Sequence, residues 1–155
     1  MKATVNIPVG ASRQKSIEVT RDMTVAHFHS GMPEVFGTPM MICLMEEAAR
    51  EAILGYLPDG WVSVGAMMNV KHLAPTPVGV IVTAKATVIT VSDNLITFTI
   101  EAYDGFEKIG EGVQVRAAIE LKRFEKRIKL KSRRVGEDNL GPSIGGPDGE
   151  ERQGH

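Results

Sequence analysis

The sequence predicts an α+β fold in which one long helix lies against an antiparallel β-sheet. Three observations carry this. Thr38-Pro39 opens an apolar run with helical spacing, and a Pro-Asp-Gly stop closes it near Leu57. Four strand-like runs follow, with hairpin signals at "SDN" and "DGF". One further alternating run precedes the helix. The order strand, helix, meander suits an antiparallel sheet covered on one face.

Each element has its own signal. "KSIEVT" (15–20) alternates and ends in a charged turn, so it reads as the first strand. Thr is a good N-cap and Pro is favoured at the first helical position, so capping alone accounts for a Thr before a Pro. The four later strands are expected over 61–73, 78–91, 95–104 and 107–124, with "APTP" as a stiff link between the first two. The composition then shifts. "KRFEKRIKLKSRR" (122–134) is dense in base, and the chain after it is rich in Gly, Pro and acid. The expected organisation is a single domain over 1–127 and a tail over 128–155 that is disordered. The basic run reads as a solvated strand end, or as an electrostatic landing site for a phosphate-bearing ligand.

Composition excludes several classes. With 155 residues, 43% of them apolar and 24% charged, the chain can bury a real core. A net charge of −1 argues against nucleic acid as a partner. No apolar run approaches the roughly 18 residues of a membrane span, and the N-terminus lacks a signal-peptide core. Cys43 is the single cysteine, so no internal disulfide forms and the cytoplasm is the expected compartment. CxxC and HExxH are absent and the four His are scattered, so no metal site is expected.

Helical spacing separates the carboxylate pair Glu46-Glu47. Glu46 shares a stripe with Ile42, Ala49 and Ile53, whereas Glu47 shares one with Cys43, Arg50 and Glu51. Glu47 therefore reads as a surface charge paired with Arg50. Glu46 is either a core-directed carboxylate suited to acid–base work, or an edge residue whose head reaches water. On the strand 61–73, strict alternation puts Val62, Val64, Ala66, Met68, Val70 and His72 on the core face. Trp61, Ser63, Gly65, Met67 and Asn69 fall on the wetter face. His72 there is either a hydrogen-bonded core residue or a general base lining a pocket. Thr38 and Glu46 are eight residues apart, about 12 Å of rise on one regular helix, so instead of bonding directly they flank a ligand or meet through water or a local bend.

Three segments, "PEVFGTPMMICLMEEA", "GAMMNVKHLAPTPVGVIVTAKA" and "YDGFEKIGEGVQVRA", carry a resemblance. The sequence resembles the hotdog-fold acyl-CoA thioesterases of the fluoroacetyl-CoA thioesterase-like group, from about Val25 to Arg127. The resemblance implies a long helix wrapped by a curved antiparallel sheet. It implies a catalytic set of Thr38, Glu46 and His72, with Gly65 and Arg116 binding substrate. It also implies hydrolysis of an acyl-CoA of short or medium chain, no separate cofactor, and a homodimer or larger homo-oligomer with the site at the interface. The fluoroacetyl-specific enzyme has aromatic residues in a lid-like segment before the helix, where this chain has His29 and Met32. Its specificity is therefore not carried over. Two rivals remain: a non-catalytic acyl-CoA sensor, and a hotdog enoyl-CoA hydratase. No Asp stands a few residues before His72, which weighs against the hydratase.

Overall fold

The computed structural model describes residues 5–138. Five strands and three helices follow in order: β1 (Ser12–Glu18), a 3-10 turn (Arg21–Met23), α1 (Val25–Phe28), α2 (Thr38–Leu54), β2 (Trp61–His72), β3 (Ile81–Ser92), β4 (Leu95–Tyr103), β5 (Lys108–Glu120) and α3 (Leu121–Asp138). The strands form one antiparallel sheet in the order β1-β3-β4-β5-β2, which leaves β1 and β2 at its edges.

The core lies between α2 and the inner face of the sheet. Alternation is strict on β3 and β4, where Val82, Ala84, Ala86 and Val88 meet Ile96, Phe98, Ile100 and Ala102, all buried. From the helix come Met41, Leu44, Met45, Ala48, Ala49, Ala52 and Ile53. Each fully buried large apolar side chain stabilises this layer by about 1.5–3 kcal/mol. The three alanines keep the helix close to the sheet. So does Gly110 on β5, where a Cβ would come 3.0 Å from the Met45 methyl.

Two tertiary details position the site. The first is the β2–β3 link, which crosses from one edge of the sheet toward the other. Phe36, just before α2, donates its N–H to the Thr76 carbonyl at 2.8 Å, and Val35 bridges Pro77. Thr76 is itself held by a hydroxyl bond to the buried Asp104 carboxylate (3.1 Å). The start of α2 is thereby tied to the end of β2. The second is a β-bulge in β2. Gly65 pairs with Arg116 but Met67 pairs with Val115, so Ala66 is an extra residue.

That bulge corrects the strict alternation expected for this strand. Gly65 and His72 are seven residues apart, an odd number that puts them on opposite faces of a regular strand. With one residue inserted, Ser63 and Gly65 join Met68, Val70 and His72 on the inner face.

Three more expectations are corrected. The N-cap of α2 is Gly37, not Thr38: the Gly37 carbonyl accepts from the amides of Met40 and Met41, and Thr38 is the first helical residue. The strand expected over 107–124 stops at Glu120, and the basic run forms the helix α3. That helix runs through the expected 127/128 boundary, and the chain divides into compact units between Leu121 and Lys122. The Gly- and acid-rich end of the expected tail, 139–155, lies outside the described residues.

Candidate active site

Two polar clusters stand on the inner face of the sheet where α2 crosses it. The first is at the start of α2. Because Gly37 caps the helix, the Thr38 hydroxyl is free of capping duty, and it bonds the His72 ring at Nδ1 (2.8 Å). The other ring nitrogen, Nε2, is buried without a hydrogen-bond partner. Burial pushes the His72 imidazole below the usual histidine value, opposed only by the backbone of Ala74. At neutral pH the ring is uncharged and can accept the Thr38 proton. Thr38 itself is exposed, and its N–H makes no backbone hydrogen bond. Pro39 has no N–H, so the Thr38 amide is the donor that this helix end offers to an incoming oxygen.

The second cluster lies two turns further along. Glu46 is half-buried, and its Oε1 stands only 2.9 Å from where a Cβ on residue 65 would sit. Glycine at that position lets the carboxylate rest on the strand. Across the ladder from Gly65 is Arg116, 5% exposed, donating through Nε and Nη2 to the hydroxyl and carbonyl oxygens of Ser63, both at 2.9 Å. Burial pushes the guanidinium below its usual value and the Glu46 charge pulls it back up. An arginine keeps its proton throughout, so Glu46 faces a fixed cation. Among the described residues no carboxylate comes within 4 Å of Arg116. Glu47, as its stripe predicts, turns outward to Arg50 (3.1 Å), which holds it below the usual carboxylate range.

The structure brings Thr38 to His72, and Glu46 to Gly65, whose ladder partner is Arg116. It does not bring the two clusters together. Sequence patterning missed Ser63, because the bulge hides its face. It also missed Gln114, fully buried on β5 opposite Met68 and Phe98, with neither amide atom partnered. It passed over Phe28 too, whose half-exposed ring lies 3.7 Å from a Cβ built on Gly37, beside Thr38. Among the described residues no group of three or more His, Cys, Asp or Glu is arranged to hold a metal.

The sequence profile of the fluoroacetyl-CoA-specific thioesterases matches residues 19–122. The chain belongs to that family. It is similar to the fluoroacetyl-CoA thioesterase of Streptantibioticus cattleyicolor, with 38% identity over 100 residues, 64% of this chain and 72% of that protein. A solved fluoroacetyl-CoA thioesterase superposes with a TM-score of 0.77 at 33% identity, covering 81% of this chain and 98% of that one. A hot-dog-like protein from Thermanaerovibrio acidaminovorans gives 0.75 at 30%, covering 81% and 93%. As a family member with the hotdog fold, the chain is an acyl-CoA thioesterase, a hydrolase of CoA thioesters. No helix among the described residues is long and apolar enough to cross a membrane.

Proposed function

We propose that the chain hydrolyses short- or medium-chain acyl-CoA to the free acid and CoA, using Thr38, His72 and Glu46, with Gly65 and Arg116 beside them. The observation that carries this is the 2.8 Å bond from an exposed hydroxyl to a ring nitrogen that burial keeps neutral. That pairing suits a nucleophile and its base. Thr38 Oγ1 adds to the thioester carbonyl as His72 takes its proton. The C–S bond breaks, and the proton passes to the departing thiolate of CoA. Water then cleaves the acyl ester with Glu46 as its base, the carboxylate lying within the field of the Arg116 charge, and a proton returns through His72 to Thr38 Oγ1 as the acid leaves. No other cofactor enters this scheme. Each rival has its own outcome: binding without thiol release for a sensor, loss of enoyl absorbance for a hydratase.

The two clusters stand about 12 Å apart along α2, too far to act on one carbonyl. A second copy resolves this. β2 is an edge strand with an unpaired row of backbone groups, and Met67 on it is exposed. Antiparallel pairing of two β2 edges about Met68–Asn69 sets Glu46–Gly65 of one protomer beside Thr38–His72 of the other. The working unit is thus a homodimer with the site at its interface. The lone Cys43 suits a reducing compartment, and we place the enzyme in the cytoplasm.

Mixing two inactive variants tests this. Glu46→Ala and His72→Ala each lose thiol release from acyl-CoA. Unfolded, mixed and refolded together, they regain about a quarter of wild-type activity, because half the dimers are mixed and each holds one intact site. No recovery, despite mixed dimers shown by mass spectrometry, sinks the shared site. Glu46→Ala with undiminished turnover sinks the role of Glu46.

A further inference from the structure

Helix α3 lies almost wholly beyond the family match, which ends at residue 122, and the reaction makes no use of it. Its composition is one-sided. Between Leu121 and Gly136 there are eight lysines and arginines against one glutamate. Apart from Leu130, its apolar residues are ordered. Leu121, Phe124, Ile128 and Val135 follow one another by three, four and seven residues, which is a single narrow stripe on a helix. Lys131 occupies the gap in that stripe, Glu125 and Ser132 border it on one side, and the other basic residues take most of the remaining surface, with Leu130 exposed among them on the back.

No residue from 121 to 136 is buried, and Ile128 and Val135 are 50% and 72% exposed. Helices in water draw most of their stability from packing an apolar face, so a stripe left open on a regular helix calls for something to cover it. A second copy of α3 is a poor cover, since both surfaces carry the same strong positive charge. A nucleic acid answers the charge but has no use for the stripe. An anionic lipid surface answers both: headgroup phosphates meet the Lys and Arg heads, and the stripe enters the boundary of the acyl chains while lysine stems reach along it.

We infer that α3 is a peripheral anchor that lays the enzyme on anionic phospholipid membranes. This contact lies on the surface and needs no spanning segment. It also stands independently of the catalytic assignment, because every residue involved lies outside the site.

Flotation of the full chain with lipid vesicles tests it. Vesicles of phosphatidylcholine mixed with phosphatidylglycerol carry the protein up, and phosphatidylcholine alone does not. Lys129→Glu/Lys131→Glu/Arg133→Glu weakens that binding by about a hundredfold or more. Phe124→Ser/Ile128→Ser, which leaves the charge unchanged, weakens it by about tenfold or more. Both variants keep wild-type thiol release, which shows that the catalytic domain is folded. Equal binding to both vesicle types, or none to either, overturns the inference. So does a stripe variant that binds like wild type, because the contact is then charge alone, as with a soluble phosphate or a nucleic acid. Loss of self-association in sedimentation, with no vesicle binding, points instead to a second copy.

Discussion

The two clusters under α2 are held by different means. Thr38 and His72 meet because the backbone brings them together: the Phe36–Thr76 bond ties the start of the helix to the end of β2. The hydroxyl is exposed, while the ring is partly buried with its Nε2 atom shut off from solvent. Glu46 rests on the strand through a missing side chain at Gly65, whose ladder partner Arg116 is a desolvated cation anchored on Ser63. The first cluster is tuned by burying an imidazole so that it stays neutral. The second is built on the absence of a side chain at Gly65, which leaves room for the Glu46 carboxylate. The contrast teaches where each cluster is fragile. The first depends on a proton and the second on space.

His72→Gln tests the proton. It should lower kcat/KM by about a thousandfold, within the range for a lost general base. In the wild type the working form is the neutral ring, and its folded pKa is depressed. Activity therefore holds as pH falls through the ordinary histidine value near 6.5 and drops only below it. The same shift lowers stability between that ordinary value and the folded one, because there the unfolded chain binds the extra proton. A kcat/KM limb at or above the ordinary value would contradict the burial of the ring.

Thr38→Ala asks whether the hydroxyl serves chemistry or the helix. Activity should fall by about a hundredfold or more, while thermal stability moves by less than the roughly 1 kcal/mol of a lost N-cap, because Gly37 is the cap. Thr38→Ser should keep most of the activity. A large stability loss with intact turnover would return Thr38 to a structural role.

Gly65→Ala tests the space. The new methyl would stand 2.9 Å from Glu46 Oε1, so the carboxylate must move off the strand. Turnover should fall by about ten- to a hundredfold, while the melting temperature changes little, since the displaced atom ends a flexible side chain. Unchanged kinetics would show that Glu46 does not work from that position.

Gln114→Met carries the smallest effect. The buried amide has no partner, and exchanging it for an apolar side chain of similar volume should leave stability unchanged or raise it by about 1 kcal/mol in a denaturant titration. A loss beyond about 2 kcal/mol would mean that the amide is satisfied in solution.

Much of this was legible in the residues. Alternation on β3 and β4, the SDN hairpin and the apolar spacing of α2 mark local structure, and local structure follows from local chemistry. Helical periodicity separated Glu46 from Glu47 correctly, because one turn of helix has a fixed angle. Residues 122–134 were misread for an equally local reason: a strand end and an amphipathic helix share the same basic composition, and the three-four-seven spacing from Leu121 to Val135 was the signal that tells them apart.

By itself, then, the sequence determined the order of the five strands and the long helix α2, the burial of one face of α2, the outward turn of Glu47 and, through resemblance, the family. Tertiary structure alone decided which polar groups share a face and touch. The bulge at Ala66 reverses the parity between Gly65 and His72, and the crossing link brings Thr38 to His72. Neither leaves a mark in periodicity, because one inserted residue or one long-range backbone bond alters the face that a side chain meets without altering the composition around it.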